Sequence, residues 1–381
     1  MNTNFDNRVS TPLPSREGQG GGSEISPRAE VSPKAKIGDN CKIFPFVYIE
    51  DDVVIGDNCI IFPFVSILNG TRMGSHNKVH QGSVIGALPQ DFDFRGEKSE
   101  CIIGDNNIIR ENVVINRATH QGGQTVIGND NFLMEGSHIS HDTKVGNRCV
   151  FGYGTKIAGD CIIFPFVSIL NGTRMGNNNK IHQGAVIAAL PQDFEFRGEK
   201  SECVIGNHNI IRENVVINRA THQGGQTVIG NDNFLMEGSH ISHDTKVGNR
   251  CVFGYGTKIA GDCYIEDSVI FSTSVVENPK TRVGMGSMIQ AGTTFSKDVP
   301  PYIIVTRKCE YGGVNMTIGR KHGVDEKTLK HIANAYRLVF NGNNSVYDAI
   351  LSIVDQVPPG PEIDHIVEFL KSAEQGIISK K

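Results

Sequence analysis

The stretch "KIGDNCKIFPFVYIEDDVVIGDNCIIFPFVSI", residues 36–67, decides the fold. Isoleucine recurs in it at every sixth position, from Ile37 to Ile67. A period of six matches neither an α-helix, with about 3.6 residues per turn, nor a strand that alternates every two residues. It is typical of a solenoid in which three short strands form each triangular coil and one aliphatic side chain per strand points inward. The stretch therefore predicts a parallel β-helix of hexapeptide repeats.

The same period extends to both sides of this stretch. It begins at Ile25, resumes in phase at Ile103 after a gap and reaches Ile157. Most cysteines lie two residues before an aliphatic position, in a slot that elsewhere holds small residues such as Ala35 and Thr155. Because a free cysteine packs like a small apolar side chain, we interpret these as core residues and not as catalytic or metal-binding ones. They are Cys41, Cys59, Cys101, Cys149, Cys161, Cys203, Cys251 and Cys263.

A second, larger repeat is superimposed on the period. Residues 59–160 return as residues 161–262, an offset of 102, and the two copies differ at nine positions. Two segments of the first copy leave the period, residues 87–100 and 118–125, and we interpret both as loops. If the first loop replaces two hexapeptides, fifteen remain, which would make five whole coils per copy. The β-helix is thus expected to be extended by a tandem duplication.

The period ends near "KDVPPY", residues 297–302, where two prolines stop strand pairing. Apolar residues then recur at helical spacing. Asp325 is the expected N-cap of a helix over residues 326–340, Ser345 that of a second, and Pro361 suits the first turn of a third. The fold class predicted is an all-β solenoid plus α. Its segments are a disordered tail over 1–23, a β-helix over 24–302 and a small helical domain over 303–381.

Composition argues against several classes of protein. The formal net charge is −4, so no overall basic field favours nucleic acid. No run of eighteen apolar residues is present, so we expect no transmembrane segment, and the first residues lack the apolar core of a secretory signal. An odd number of cysteines without such a signal favours a reducing, cytoplasmic compartment.

The stretch "GSHISHDTKVG" carries the strongest chemical signal and occurs twice, at residues 136–146 and 238–248. Ile241 holds an inward position, so His240 and His243 fall on either side of it near a corner of the coil. Three interpretations are open. The histidines are solvated surface residues; they belong to a zinc site, which lacks a third ligand at a matching position; or one is a general base, because neutral imidazole accepts a hydroxyl proton near pH 7.

Several motifs together resemble one bacterial enzyme family. They are the hexapeptides, the loop "PQDFxFRGE", the stretch "IRENVVINRATHQGG", then "HISHDTKVGN", "DVPPY" and a helical tail containing "NAYRLVF". From residue 25 onward this pattern is similar to the UDP-N-acetylglucosamine O-acyltransferases, which catalyse the first step of lipid A biosynthesis. The resemblance implies a homotrimer of left-handed β-helices. It also implies transfer of a 3-hydroxyacyl chain from acyl carrier protein to the 3-hydroxyl of UDP-N-acetylglucosamine, without cofactor or metal.

The resemblance implies roles for residues in both copies. The second histidine of the motif is the general base, the next aspartate orients it, and a backbone N–H of the "AG" pair stabilises the oxyanion. These roles fall on His243, Asp244 and Gly261 in the second copy and on His141, Asp142 and Gly159 in the first. Substrate contacts fall on Gln192, Asp193 and His240 in the second copy and on Gln90, Asp91 and His138 in the first. A small residue near the end of the coils limits the acyl chain length, at Ala291 and Gly292.

The chain departs from the family pattern at three places around these residues. A lysine common two residues after "QD" is replaced, a histidine common after "AG" is replaced, and a downstream glutamine falls on a proline. The replacements are Asp93 and Glu195, then Asp160 and Asp262, and finally Pro279. They concern contacts to the donor and the sugar and leave the acyl-transfer residues in place.

The second copy is the favoured working site. Only His243 directly precedes residues 264–295 and the helical domain, which in the family line the acyl groove and hold the substrates. We therefore expect substitution of His243 to remove most activity and substitution of His141 to have little effect. Two other functions stay open: another hexapeptide acyltransferase, chiefly the N-acyltransferase of the same pathway, and a solenoid that its duplication has left inactive.

Overall fold

The structure is a computed structural model that describes residues 22–321, 323–341 and 345–379. These residues form two compact units, divided between residues 188 and 189. Of the tail predicted over 1–23, residues 1–21 lie outside the described residues. The Ser23 hydroxyl donates to the carbonyl of Gly38 at 2.7 Å and accepts from the N–H of Cys41 at 3.0 Å. Ser23 therefore already contacts the first coil.

The first unit is a three-sided parallel β-helix in which each strand pairs with the strand three places later in the chain. Side one contains β1 (Glu24–Ile25), β4 (Lys42–Ile43), β7 (Ile60–Ile61), β10 (Lys78–Val79), β13 (Ile108–Ile109), β16 (Phe132–Leu133), β19 (Val150–Phe151), β22 (Ser168–Ile169) and β25 (Val186–Ala189). Side two contains β2 (Glu30–Val31), β5 (Tyr48–Ile49), β8 (Ser66–Ile67), β11 (Val84–Ala87), β14 (Val114–Asn116), β17 (His138–Ile139), β20 (Lys156–Ile157) and β23 (Thr173–Met175). Side three contains β3 (Lys36–Ile37), β6 (Val53–Ile55), β9 (Thr71–Met73), β12 (Glu100–Ile103), β15 (Gln124–Ile127), β18 (Lys144–Val145), β21 (Ile162–Ile163) and β24 (Lys180–Ile181).

The second unit repeats this three-sided arrangement and adds the helices. One side contains β26 (Glu202–Ile205), β29 (Gln226–Ile229), β32 (Lys246–Val247), β35 (Tyr264–Ile265) and β38 (Arg282–Val283). The next contains β27 (Ile210–Ile211), β30 (Phe234–Leu235), β33 (Val252–Phe253), β36 (Ile270–Phe271), β39 (Met288–Ile289), β41 (Ile303–Val305) and β42 (Tyr311–Val314), of which the last pair is antiparallel. The third contains β28 (Val216–Asn218), β31 (His240–Ile241), β34 (Lys258–Ile259), β37 (Val276–Glu277) and β40 (Thr294–Phe295).

The core of each unit consists of the side chains that recur every six residues. Along side one, for example, Ile43, Ile61 and Val79 pair in register and are at most 3 % exposed. Burial of each such side chain stabilises the fold by about 1.5–3 kcal/mol. The eight cysteines interpreted as core residues are all buried, so both the hexapeptide period and the cysteine interpretation are confirmed.

The expectation of fifteen strands per copy is wrong, because the first copy contains fourteen strands, β7 to β20. The first loop, residues 88–99, replaces two strands as expected. The second, residues 117–123, replaces one more: Gln121 falls in phase with the inward residues yet lies exposed in this loop. Fourteen strands are not a whole number of three-strand coils. The first strand of copy one, β7, therefore lies on side one, whereas the first strand of copy two, β21, lies on side three.

The described residues of the C-terminal segment form four helices, of which three match the prediction. These are α1 (Met316–Lys321), α2 (Glu326–Phe340), α3 (Val346–Gln356) and α4 (Pro361–Lys371). The Asp325 carboxylate accepts from two N–H groups at the start of α2, and the Ser345 hydroxyl accepts from one at the start of α3. The short α1 and the β41–β42 pair were not predicted. Within the described residues, none of the helices combines the length and apolar character needed to cross a membrane.

Candidate active site

A corner of the second unit presents the histidine motif of the second copy. Ile241 of β31 points into the core and is fully buried. The chain then turns at Ser242, His243 and Asp244, and Asp244 adopts a left-handed backbone conformation with φ of 59°. Aspartate tolerates this conformation because its short side chain bonds locally. The turn places the imidazole and carboxylate side by side on the outside of the coil.

The His243–Asp244 pair has the geometry of an oriented base. Nδ1 of His243 lies 3.0 Å from Oδ2 of Asp244, and the same oxygen accepts from the N–H and the hydroxyl of Thr221 at 2.9 and 2.6 Å. Burial opposes ionisation of Asp244, but the bonds from Thr221 and His243 outweigh it and lower the pKa of the carboxyl. The ionised carboxylate holds the proton of the ring on Nδ1, which leaves Nε2 as the basic nitrogen.

Gly261 lies directly beneath this imidazole, one coil further along the chain. A Cβ atom at residue 261 would lie 2.4 Å from Cε1 of His243, so only glycine permits the ring to sit there. The Gly261 N–H has no hydrogen-bond partner among the described residues. At equivalent corners an acceptor side chain of the next coil fills this role, as Asn249 does for Asn231 at 2.8 Å. At this corner the next coil offers Pro279, which has no such acceptor, so the N–H stays available.

The loop "PQDFEFRGE" brings a second carboxylate to the imidazole. Oδ2 of Asp193 lies 3.5 Å from Nε2 of His243. The side-chain amide of Asn218 donates to the Leu190 carbonyl at 2.6 Å and so holds the start of the loop, and Arg219 lies over the Phe196 ring at 5.4 Å. Gln192 is exposed on the same loop. A hydroxyl group held by Asp193 would therefore lie beside the basic nitrogen.

His240 completes the group from β31. Its Nε2 lies 2.5 Å from Oδ1 of Asn218. Burial, and then the charge of Lys258, lower the pKa of His240, so the ring is neutral near pH 7 and serves as a hydrogen-bonding group. The sequence analysis missed Asn218 and Thr221, although both lie in the quoted stretch "IRENVVINRATHQGG". Their position on the coil before the histidines is the signal that could have identified them.

The first copy builds the same arrangement within the first unit. His141 lies 3.0 Å from Asp142 through Nδ1 and 3.5 Å from Asp91 through Nε2. Thr119 donates its N–H and hydroxyl to Asp142 at 3.0 and 2.8 Å. The bond with Asp142 raises the pKa of His141. A Cβ atom at Gly159 would lie 2.6 Å from Cε1 of His141.

A cavity of about 460 Å³ lies elsewhere in the second unit, and one of about 320 Å³ lies at the first-copy histidines. The latter contains the residues assigned from the resemblance, because Gln90, Asp91 and His138 line it together with His141 and Gly159. Asn116, whose Oδ1 lies 2.7 Å from Nε2 of His138, lines it too. The structure thus brings the predicted site residues of the first copy, except Asp142, around one polar cavity.

The residues assigned to chain-length control lie at a different corner of the second unit. Ala291 and Gly292 come after β39, and the Gly292 N–H donates to the carbonyl of Thr273 at 2.9 Å. His243 comes after β31, on another side of the coil. A single chain does not bring these two sets together, and the role of Ala291 and Gly292 stays a prediction. No group of three or more His, Cys, Asp or Glu side chains in the described parts of the chain is arranged to hold a metal ion.

Two family profiles match the chain. The profile described as "Bacterial transferase hexapeptide (six repeats)" matches residues 34–61, 52–87, 124–159 and 226–261. The profile described as "Udp N-acetylglucosamine O-acyltransferase; Domain 2" matches residues 298–378. The repeats of the β-helix and the C-terminal segment are therefore recognised separately, and the profile of the C-terminal segment is the one that names a particular transferase.

Individual relatives agree with the profiles. An acyl-[acyl-carrier-protein]--UDP-N-acetylglucosamine O-acyltransferase of Saccharophagus degradans is 40 % identical over 127 residues, 33 % of this chain and 49 % of that protein. The chain thus spans about half the length of the curated relatives it matches. The crystal structure of a UDP-N-acetylglucosamine acyltransferase from Bacteroides fragilis is 34 % identical, with 93 % of this chain and 99 % of that chain covered and a TM-score of 0.55. The crystal structure of the UDP-N-acetylglucosamine acyltransferase from Francisella novicida is 28 % identical, with 66 % of this chain and 93 % of that chain covered and a TM-score of 0.63. The predicted fold, a left-handed β-helix with C-terminal helices, is confirmed.

Proposed function

Since the chain belongs to the UDP-N-acetylglucosamine O-acyltransferase family, we propose that it transfers a 3-hydroxyacyl group from acyl carrier protein to the 3-hydroxyl of UDP-N-acetylglucosamine. The observation that carries the proposal is the pair formed by His243 and Asp244 above the unpaired N–H of Gly261. A base and an oxyanion donor at one corner are what acyl transfer from a thioester to an alcohol requires.

The reaction begins with proton removal from the acceptor. Nε2 of His243 takes the proton of the sugar 3-hydroxyl as its oxygen attacks the thioester carbonyl carbon. Asp244 stabilises the imidazolium through Nδ1. General-base catalysis of this kind contributes roughly 10²–10⁴ in rate. Asp193, 3.5 Å from Nε2, orients the sugar hydroxyls, and His240 and Gln192 hold the rest of the acceptor.

The tetrahedral intermediate is stabilised at Gly261. Its N–H donates to the oxyanion, and one such donor contributes about 2.7–4 kcal/mol in comparable enzymes. When the carbon–sulfur bond breaks, the imidazolium returns its proton to the leaving thiolate of the carrier. The products are the 3-O-acylated sugar nucleotide and the free thiol carrier, and His243 is again neutral.

The assembly and location are inferred from the same family membership. We propose a homotrimer in the cytoplasm, with each site completed by a neighbouring chain. The separation of Ala291 and Gly292 from His243 within one chain supports this, because a neighbouring chain would have to bring a chain-length residue to the base.

One assay tests the proposed activity. Purified protein is mixed with UDP-N-acetylglucosamine and 3-hydroxyacyl carrier protein, and the product is detected by mass spectrometry. We expect an acylated sugar nucleotide that loses its acyl group in mild base, because esters hydrolyse there and amides do not. A parallel reaction offers a sugar nucleotide with a free 2-amino group, and a base-stable amide formed only from that acceptor would indicate the N-acyltransferase alternative. No product from either acceptor, under conditions in which the carrier is acylated, would indicate an inactive solenoid.

A further inference from the structure

The peptide group between Ala260 and Gly261 is held from inside the coil. The hydroxyl of Thr245 donates to the Ala260 carbonyl at 2.9 Å. This carbonyl and the Gly261 N–H belong to the same peptide group, whose atoms lie in one plane. A contact that fixes the carbonyl therefore also fixes the direction of the N–H, which serves as the oxyanion donor in the proposed mechanism.

The bond to Ala260 is the main hydrogen bond that the Thr245 hydroxyl donates. The hydroxyl has a single hydrogen, and the His243 carbonyl, a second acceptor, lies at 3.5 Å. The N–H of Cys263 approaches the same hydroxyl at 3.4 Å as a donor. Thr245 is fully buried, so its side chain contacts the interior of the coil and does not contact substrate.

Bonds of this kind occur at other corners as well. Thr143, Thr155 and Thr257 each donate to the carbonyl fifteen residues later, at 3.2, 3.4 and 3.2 Å. Such a bond therefore helps to stack one coil on the next. Thr245 differs from Thr155 and Thr257 in what the held peptide group carries. Its N–H lies beneath the His243 imidazole and has no hydrogen-bond partner among the described residues.

A hydrogen bond accepted by a carbonyl also changes the N–H of the same peptide group. The bond polarises the group and makes its N–H a stronger donor. The oxyanion of the intermediate carries more negative charge than the carbonyl of the bound thioester. The stronger donor therefore stabilises the transition state more than the bound substrate, and such an interaction raises kcat and leaves KM nearly unchanged.

We propose that Thr245 is a positioning residue for acyl transfer, which acts through the Ala260 carbonyl and sets the direction and donor strength of the Gly261 N–H. This inference rests on the proposed function, because the oxyanion arises only in that reaction. It adds to the mechanism a residue that lies two positions after His243 in the sequence and supports the opposite side of the reacting carbonyl.

Steady-state kinetics of Thr245→Val test the role. This variant keeps the branched shape of the side chain and removes the hydroxyl. We expect kcat to fall by about tenfold, while KM for both substrates changes by less than about twofold. Thr245→Ser, which keeps the hydroxyl, should restore most of kcat. The pH profile of kcat/KM should keep its midpoint, because the His243–Asp244 pair is unaltered.

Ser287→Ala is the control for a structural effect. The buried Ser287 hydroxyl likewise donates to a carbonyl of the next coil, that of Pro300 at 2.7 Å. It precedes β39, on another side of the coil from β31. Ser287→Ala should lower the melting temperature about as much as Thr245→Val does, and it should leave kcat unchanged.

Nuclear magnetic resonance tests the contact without relying on activity. The sequence Ala–Gly occurs three times, at residues 158–159, 260–261 and 291–292. Protein with ¹³C-carbonyl alanine and ¹⁵N-glycine therefore gives one carbonyl–amide correlation for each pair. Thr245→Val should move the 260–261 carbonyl signal to higher field, because accepting a hydrogen bond deshields a carbonyl carbon. Thr143→Val should move the 158–159 signal instead, and the 291–292 signal should stay in place in both variants.

Two results would overturn the inference. One is a 260–261 signal that Thr245→Val leaves in place, since the contact would then be absent. The other is a signal that moves while kcat stays within about twofold of the unaltered chain, since the bond would then only stack the coils. Failure of the proposed function would look different: the unaltered chain would form no acylated product although the signal moves, and the catalytic role of Thr245 would fail with it.

Discussion

The imidazole of His243 occupies the space that a side chain at Gly261 would fill. A Cβ atom there would lie 2.4 Å from Cε1 and 2.7 Å from Nε2 of the ring. The glycine is required by this close approach of two coils, because its own backbone is not in the left-handed region. The residue assigned as oxyanion donor thus also sets the position of the base, and one residue couples the two parts of the proposed mechanism.

Gly261→Ala is expected to displace the imidazole and lower kcat by tenfold or more while the β-helix stays folded. Both the base and the neighbouring N–H lose their alignment, and small errors in position are costly in catalysis. Steady-state kinetics, with circular dichroism to check folding, measure the effect. Gly159→Ala is the matched control, since it creates a similar clash with His141 at 2.6 Å. Equal losses from the two variants would contradict a single working site.

His243→Ala should lower kcat by a factor of 10² or more, and His141→Ala should lower it far less. Each histidine ring contacts an aspartate that also accepts a hydrogen bond from a threonine hydroxyl, so local geometry does not distinguish the two histidines. The distinction rests on the segment downstream of each histidine, since only His243 precedes residues 264–295 and the helices. Initial rates at saturating acceptor measure the effect. Comparable losses would show that both copies catalyse the reaction.

Glu277 should make the stability of the second unit dependent on pH. Its side chain points into the core from β37 and is fully buried. Oε1 accepts from the Thr281 hydroxyl at 2.9 Å, whereas Oε2 has no hydrogen-bond partner among the described residues. Burial raises its pKa to about 8, and the charge of Asp298 adds to the effect. Cys263 also faces it, with a thiol whose pKa burial raises.

The direction of the effect is set by proton binding. Between pH 4.5 and about 8 the folded protein holds a proton on Glu277 that the unfolded chain releases. The contribution of this group to the free energy of unfolding is therefore largest below pH 4.5. As the pH rises from 4.5 to about 8, this contribution falls by up to about 1.4 kcal/mol per pH unit. Urea unfolding across this range measures it.

Glu277→Met supplies the test, because Met175 is the buried residue at the corresponding position of the first copy. The variant should be more stable at pH 8 than the unaltered chain and should lose this part of the pH dependence. Glu374→Gln, at an exposed carboxylate, should change neither quantity. An unchanged pH profile in Glu277→Met would show that this carboxyl does not titrate in the range.

Ile169→Asp should unfold the coils around β22. Ile169 is fully buried, and the change removes an apolar side chain and places a charge in the core. We expect the free energy of unfolding to fall by more than about 4 kcal/mol. Ser168→Asp, at the half-buried preceding residue of the same strand, is the control and should have a small effect. Thermal unfolding monitored by circular dichroism compares the two.

The sequence predicted most of the fold because one physical pattern is repeated along it. Each inward side chain, such as Ile61 or Phe253, satisfies the same requirement for burial, and the period of six survives small errors. Helix caps such as Asp325 are also local and were predicted correctly. The strand count failed because the second loop excludes an in-phase residue, Gln121, and the loss of one strand depends on how the coil closes around it.

The candidate site was only partly accessible from the sequence. The histidines and aspartates were quoted together as a motif, but Thr221 and Asn218 lie 22 or 23 residues away from their partners and meet them only because the coil stacks. Glu277 is in phase with the core, and the period alone gives no reason for a carboxyl there. The environment of Glu277 depends on contacts to Cys263 and Thr281, and the sequence alone does not predict these contacts.

Because a repeat of fourteen strands is one strand short of five coils, equivalent residues of the two copies lie on different sides of the coil in the first unit. In the first copy Phe62 stacks on His80 at 4.5 Å in the corner after β7; the equivalent Phe164 stacks on His182 at 4.5 Å in the corner after β21. These corners belong to different sides, so the repeated patch returns at a different azimuth. A partner bound along one edge of the coil would therefore contact the Phe62–His80 stack and would not contact the Phe164–His182 stack, which lies on a different edge. The duplication has therefore repeated the surface residues at a different angle around the coil axis and has not extended one continuous strip of them along the first unit.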